Sequence, residues 1–323
     1  MTSALFTIII PYKNRAGHLP DTLTSLLQLT SRPLQVILVD NRSTDESPAL
    51  CRSFRDQCTT SSNGITVTLL SQPTGGACHA RNLGLSQVKT PYVYFFDSDD
   101  RFTPDFFEHV STALQEDASR HPERQVDMVT LTTQLAFPDG RCRCRCPRPS
   151  LSPVDQILTG MLSTQSMVFR TAFLRSLGGW NEDTWIWNDW ELGLRCLLHH
   201  PTMVTLPQKH FHHILQHADS ITGSRFGLKK QEIIHTMNVA EGMLQEYPAL
   251  RNAMDGRRLI LAGHLHHEGD TAASRQLKHE VMDRHGKSFK WKIFSTYCFT
   301  CRKAAWRLYK LLFPCYEKNW FHP

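Results

Sequence analysis

The feature that most narrows the fold is a series of apolar segments that each stop at a polar cluster. "LFTIIIPY" runs apolar without alternation to Pro11, the pattern of a strand buried on both faces. "LQVILVDN" repeats it and stops at Asp40, and "PYVYFFDSDD" stops at Asp97, Asp99 and Asp100. Helical signals lie between. "HLPDTLTSLLQLT" spaces Leu19, Leu23, Leu26, Leu27 and Leu29 roughly along one helical face, and a second helix passes through Cys51 and Phe54. After a third strand, "GITVTLLSQ", the glycines of "GGACHARNLGLSQV" open a short helix. Strands alternating with helices predict right-handed crossovers and a mostly parallel α/β sheet, whose ligands bind beyond the strands' carboxyl ends. Pro11 to Asn14, Asp40 to Arg42 and Asp97 to Asp100 all fall on that rim.

With 323 residues, 41% of them hydrophobic, the chain can bury a large core, as one large domain or two smaller ones. The strand–helix pattern extends to about residue 222, and residues 223–323 read as helical throughout. Within the first part, "QVDMVTLTTQLAF" predicts a further strand and "PDGRCRCRCPRPS" a hairpin. On that hairpin Cys142, Cys144 and Cys146 would face one side and Arg141, Arg143 and Arg145 the other. This C-x-C-x-C lacks the paired spacing of zinc knuckles. No run of about 18 apolar residues exists, so no membrane span is expected. The N-terminus lacks a basic region and cleavage site, so no signal peptide is expected either. The ten cysteines are expected as reduced thiols in a cytoplasmic protein, since a chain of this size needs no disulfide framework.

Three neighbouring carboxylates at the mouth of a buried strand repel one another. A divalent cation offsets that repulsion, and hard oxygen ligands suit Mg²⁺ or Mn²⁺, ions that bridge carboxylates to phosphates. A second constellation is "WIWNDWELGLR", with Asp189 and Glu191 at the start of a predicted helix. Carboxylates there can simply cap the helix. Trp185, Trp187 and Trp190 around them offer aromatic walls suited to a sugar ring, beside which a carboxylate of raised pKa could take a proton from a hydroxyl. "KHFHHILQH" carries His210, His212, His213 and His217, without a Cys pair or H-E-x-x-H to make a zinc site.

Taken in order, "TIIIPYKNR", "VILVDNRSTDES", "ARNLGLSQVKTPYVYFFDSDD", "GGWNEDTWIWNDWELGLR" and "HADSIT" resemble the inverting glycosyltransferases of family 2, which have the GT-A fold. The resemblance implies a Rossmann-like, mostly parallel sheet flanked by helices, with a C-terminal helical extension. It implies that Pro11, Tyr12, Asn14 and Asp40 hold the nucleotide, that Arg81 lies near the diphosphate, that Asp97 lies near the ribose or the metal shell, and that Asp100 lies close to the donor sugar. Asp99 would bind Mn²⁺ or Mg²⁺, with His217 able to complete that site, and Asp189 would be the catalytic base. Trp187, Trp190 and Glu191 would meet the acceptor. Two departures stand out: the family's Glu-Asp pair reads Asn188-Asp189, and Leu215 replaces an often basic residue two before His217.

The expected reaction moves a sugar from a nucleotide-diphosphate donor, a UDP-sugar by resemblance, to a glycan or lipid-linked acceptor in bacterial surface polysaccharide assembly. A nucleotidyltransferase shares the fold logic but would carry a Gly-rich, basic N-terminal loop. A catalytically silent, membrane-associated binding module would not need both Asp99 and Asp189. A processive synthase would carry spanning helices and a Q-x-x-R-W motif.

The net charge of +6 gathers after residue 285, in Lys287, Lys290, Lys292, Arg302, Lys303, Arg307, Lys310 and Lys318, a local basic surface rather than a nucleic-acid coat. At helical spacing Phe294, Cys298, Cys301, Ala305, Leu308 and Leu312 share one face, with Lys292, Lys303, Arg307 and Lys310 opposite. Such a helix either lies on an anionic bilayer, at the inner face of the plasma membrane, or docks its apolar face on the protein.

Overall fold

The computed structural model describes residues 4–137, 139–206, 212–215, 226–301 and 304–314. Its strands are β1 (Phe6–Tyr12), β2 (Leu34–Asp40), β3 (Ile65–Ser71), β4 (Tyr92–Phe95), β5 (Arg101–Phe102), β6 (Met128–Thr130), β7 (Thr133–Ala136), β8 (Cys142–Arg145), β9 (Met167–Arg170), β10 (Met203–Thr205) and β11 (His212–Leu215). Its helices are α1 (Leu19–Gln28), α2 (Ser47–Ser61), α3 (Ala77–Ser86), α4 (Phe106–Arg120), α5 (Pro153–Thr159), α6 (Thr171–Ser176), α7 (Asn188–Leu198), α8 (Lys230–Gly242), α9 (Pro248–His267), α10 (Thr271–His285), α11 (Phe289–Thr300) and α12 (Ala305–Leu312). The chain forms two compact units. The first comprises Met1–Ser150, Met161–Leu192 and Pro201–His217, and the second Leu151–Gly160, Gly193–His200 and Ala218–Pro323. The second unit thus takes in two segments that the strand–helix pattern assigned to the first.

The first unit holds a seven-stranded sheet in the order β10-β6-β9-β4-β1-β2-β3. Parallel pairing of β1 with β2 and β4, and of β2 with β3, brings four strand ends to one rim, with Tyr12 opposite Asp40 and the Phe96 N–H on the Ile9 carbonyl at 3.0 Å. The unbroken apolar runs are what this position demands, because Ile8, Ile9 and Ile10 of β1 are fully buried. Gly84 lets α3 lie close on β1, since a Cβ there would sit 2.6 Å from the Ile9 side chain.

Strand β9 runs antiparallel to β4, with Val168 opposite Tyr94. Its beginning, not its end, therefore lies on the site rim. The segment read as one strand, "QVDMVTLTTQLAF", is two: β6 joins the large sheet and β7 a second sheet in the order β5-β11-β7-β8. One row of this small sheet aligns Phe102, His212, Thr133 and Arg145, so their side chains share a face.

In the second unit, α9 is the central helix. Gly263 and Gly256 admit the C-terminal helices: an added Cβ would come within 2.3 Å of the Cys298 carbonyl oxygen and 2.6 Å of the Tyr309 ring. The tail is not one continuous amphipathic helix. Ala304, with φ of 53°, precedes the start of α12, and the tail folds as two helices. Phe294, Cys298 and Ala305 of the expected apolar face are buried, as are Trp291 and Tyr309, whereas Cys301 is exposed. That face docks on the protein. Beneath it Asp255 gathers Arg284, His285 at 2.7 Å and Arg258 at 3.7 Å, and the His285 ring stacks on Trp291 with centroids 4.2 Å apart. Among the described residues no helix is long and apolar enough to cross a membrane.

Candidate active site

The three carboxylates after β4 have separate surroundings. Asp97 accepts from Arg81 Nη2 at 3.1 Å and from the Gln165 side-chain amide. Asp99 pairs with Arg15 at 3.5 Å. Asp100 is buried and meets His212 Nε2 at 2.9 Å and the Gln165 amide at 3.2 Å. The Tyr94 hydroxyl lies 2.7 Å from the Gln165 carbonyl, which can only accept, so Tyr94 must donate there. Its oxygen then accepts from His212 Nδ1, 2.8 Å away, leaving Nε2 and Asp100 to hold one proton between them. Burial pushes the His212 pKa down to about 3, against the pull of Asp97 and Asp99. Asp100, expected beside the donor sugar, is thus tied into the core, because its partner ring is itself fully buried.

Asp97 and Asp99 carry the chemistry for a divalent cation: hard oxygens at a strand end, two carboxylates that a diphosphate and water would complete. Among the described residues no group of three or more His, Cys, Asp or Glu is arranged to hold a metal by itself. Two hard carboxylates at a strand end fit a cation shared with substrate phosphates. His217 and His210 lie outside the described residues.

Arg81 joins the two halves of the site. It is buried, lies 4.4 Å from the centroid of the Trp180 ring, and reaches Asp97 with one amino group and Asn188 Oδ1, at 3.4 Å, with the other. Trp180 is clamped through its backbone by Asn82, at 2.8 and 2.9 Å. The Gly178-Gly179 turn makes room for that clamp: Gly179 has φ of 73°, and a Cβ there would lie 2.6 Å from Asn82 Oδ1.

Asp189 sits in the first turn of α7, half-buried. Its carboxylate accepts from its neighbour Trp190 N–H at 2.8 Å and from Thr164 N–H at 3.4 Å. Burial raises its pKa, and Arg145, the Trp190 N–H and Arg81 hold that rise in check. Arg145, on the edge strand of the small sheet, is itself shifted down by burial and up by Asp189. Trp187, just before, has φ of 59°, a left-handed backbone unusual for a bulky residue and a mark of a functional turn. The aromatic walls differ from expectation. Trp190 and Glu191 are 3% and 1% exposed, within the core, whereas Trp185 is 68% exposed and Trp187 half-buried.

On the nucleotide side, Asn14 binds the β2–α2 loop, its backbone N–H donating to Ser43 Oγ at 3.1 Å and its Oδ1 accepting from the Thr44 N–H at 2.8 Å. Asp40 accepts from Ser43 N–H at 2.9 Å. Asn41 is buried with its amide oxygen unpartnered among the described residues. Tyr12, expected at the nucleotide, points into the core against Cys51, and burial raises its pKa. Pro11 stays half-exposed at the rim.

Gln165, Thr164 and Arg145 lie at the candidate site although the motifs do not mark them. The polar run Ser163 to Ser166 before an apolar strand was the available signal for two of them, but its meaning depends on β9 running antiparallel.

The glycosyl transferase family 2 model matches residues 7–176, from β1 through α6. The chain belongs to this family. Among relatives of this glycosyltransferase chain, the minor teichoic acid biosynthesis protein GgaA of Bacillus subtilis is 34% identical over 125 residues, 34% of this chain and 27% of GgaA. The chain spans about a third or less of the length of the first curated relatives it matches. In fold it is similar to S. aureus TarS 1-349, with TM-score 0.61 and 16% identity, covering 95% of this chain and 89% of TarS 1-349; TarS 1-349 is also solved with UDP and with UDP-GlcNAc. The mannosyltransferase PcManGT of Pyrobaculum calidifontis, in complex with GDP-Man and Mn²⁺, is similar over 95% of this chain and 87% of its own, with TM-score 0.55 and 17% identity.

Proposed function

We propose that this family 2 chain is a metal-dependent, inverting glycosyltransferase that uses a UDP-sugar and glycosylates a hydroxyl of a bacterial surface polymer or its lipid-linked precursor. The observation that carries the reading is Asp189: a half-buried carboxylate of raised pKa, held by two backbone N–H groups and linked through Arg81 to the Asp97 side of the rim. UDP and UDP-GlcNAc in TarS, GDP-Man and Mn²⁺ in PcManGT, and the teichoic acid role in GgaA's name support the donor, metal and polymer assignments.

Asp40, Asn14 and Pro11 hold the nucleotide, and Asp99 with Asp97 would hold Mn²⁺ or Mg²⁺. Asp189 takes the proton of the acceptor hydroxyl as its oxygen attacks the anomeric carbon from the face opposite the nucleotide. The bond to the diphosphate breaks in the same displacement, so the anomeric centre inverts without an enzyme-bound intermediate. The bound cation supplies Lewis-acid stabilisation of the leaving diphosphate. Arg81 adds a fixed positive charge beside Asp97. Trp185 and Trp187, rather than Trp190, form the acceptor wall. Any peripheral contact with an anionic bilayer falls to the outward face of α11, where Phe289 is 75% exposed and Ile293 37%, beside Lys287, Lys290 and Lys292.

The test is a panel of nucleotide sugars scored by nucleotide release with and without Mn²⁺. Release that requires acceptor and metal, and that Asp189→Asn abolishes while UDP binding persists, supports the reading. Unchanged turnover in Asp189→Asn sinks the base assignment. A nucleotidylated product instead of a glycosylated one would replace it with nucleotidyl transfer.

A further inference from the structure

Strand β8, on the edge of the small sheet, carries Arg143 and Arg145, and Arg141 directly precedes it, so arginine falls at every second position. Alternation puts their side chains on one face and Cys142 and Cys144 on the other. The pairing tells which face. Arg145 stands opposite Thr133 and Arg143 opposite Leu135, both buried, in the row that continues to His212. The arginines thus lie on the face that carries His212, not on the outer one. Arg145 is half-buried and interacts with Asp189, and Arg143 adjoins it closely enough to repel it. Arg141 is satisfied by Asp139 at 2.7 Å. Arg143 is exposed, and among the described residues it has no carboxylate within ion-pairing distance.

A charged edge strand protects against edge-to-edge pairing, but one exposed charge suffices for that, and a half-buried arginine beside the base is not needed. Like charges crowded on the face that carries the site imply an anion that offsets them, as the carboxylates after β4 imply a cation. Strand positions two residues apart are about 6.6 Å apart along the backbone, a separation on the scale of successive groups in an extended phosphodiester chain. Arginine also matches phosphate in geometry as well as charge.

We infer that the arginine face of β8 binds phosphate groups of the acceptor, placing a phosphate-bearing chain beside Asp189 so that a neighbouring hydroxyl meets the base. This rests on Asp189 being the base of the proposed transfer.

The experiment measures binding rather than turnover. Fluorescence anisotropy would follow a labelled glycerol-phosphate hexamer, a labelled short prenyl-diphosphate sugar and a labelled neutral oligosaccharide, with UDP titrated separately. Binding of either phosphate probe that falls as salt rises, with no binding of the neutral one, is expected; which probe binds tighter assigns the polymer or the lipid diphosphate as the phosphate source. Arg143→Glu should weaken that probe about tenfold or more, and Arg143→Lys less. Thermal melts would show that these exposed substitutions leave the fold intact. The inference is overturned if Arg143→Glu binds the probe as the parent does, or if the neutral oligosaccharide binds equally well. It is also overturned if Arg143→Glu weakens UDP to the same degree, which would put the arginines on the donor diphosphate. Failure of every donor to turn over, with probe binding intact and Arg143-dependent, would count against the transferase reading and not against this site.

Discussion

Two acidic turns, Asp97 to Asp100 after β4 and Asn188 to Glu191 at the start of α7, read alike in the sequence: carboxylates beside aromatics. In the fold they are sorted differently. After β4, Asp100 is locked in a buried bond to His212, Asp97 is shared by Arg81 and Gln165, and Asp99 pairs with Arg15 at 3.5 Å. At α7, Glu191 is buried while Asp189 stays half-buried with backbone donors and a facing arginine. In each turn one acid is buried in the core, Asp100 or Glu191, and another, Asp99 or Asp189, stays half-buried. Position along the chain does not say which; burial and partners do.

The sharpest way to break this comparison is Asp189→Asn. Loss of a positioned general base predicts a fall in kcat of about 10²–10⁴ with nucleotide affinity nearly unchanged, measured by steady-state kinetics and UDP titration. Stability should not fall with it. Burial raises the Asp189 pKa, so above that pKa the native state holds a charge that is better solvated when the chain unfolds, and removing the charge relieves that cost. A melting temperature equal to or above the parent's is expected, and a large drop would show Asp189 to be a structural cap instead.

Next in size, Gln165→Ala removes the amide that holds Asp97 and Asp100 together. Gln165 is a partner of Asp97, one of the two carboxylates proposed to hold the cation, so its loss should weaken Mn²⁺ activation about 10–100-fold, with a smaller effect at saturating metal. A kcat loss that metal does not restore would argue against this positioning role. Gly263→Ala tests the second unit by contrast: its Cβ would meet the Cys298 carbonyl at 2.3 Å, and overpacking predicts about 1–3 kcal/mol of lost stability in denaturant titration.

The smallest effect is also the most diagnostic. The rate should fall as pH drops through the raised Asp189 pKa, because protonation removes the base. Arg145 is the strongest influence opposing that rise, so Arg145→Gln should move the acid limb of kcat to higher pH and Arg145→Lys should restore much of it. An acid limb that stays put would separate Arg145 from Asp189.

Much of the site was legible before folding. Apolar runs ending at Pro11, Asp40 and Asp97 identify strand ends, and parallel pairing of strands joined by helices requires those ends to meet. The turn that carries Asp189 was legible through the ordered motifs around it. The residues that sequence reasoning misplaced, Tyr12, Trp190 and Glu191, are side chains whose direction depends on which face of a strand or helix is buried. Those it missed, Gln165 and Arg145, come from an antiparallel strand and an edge hairpin, whose direction and neighbours no local pattern encodes. The tail shows the same limit, since its apolar face was evident but not that α9 offers Gly256 and Gly263 to receive it.

The sequence by itself therefore determined the elements, their alternation and the rim on which the polar clusters collect, because backbone periodicity and burial are written in the order of residues. Only the tertiary structure decided which carboxylate is tied to His212 and which faces Arg145, because charge and desolvation depend on neighbours that are distant in the chain.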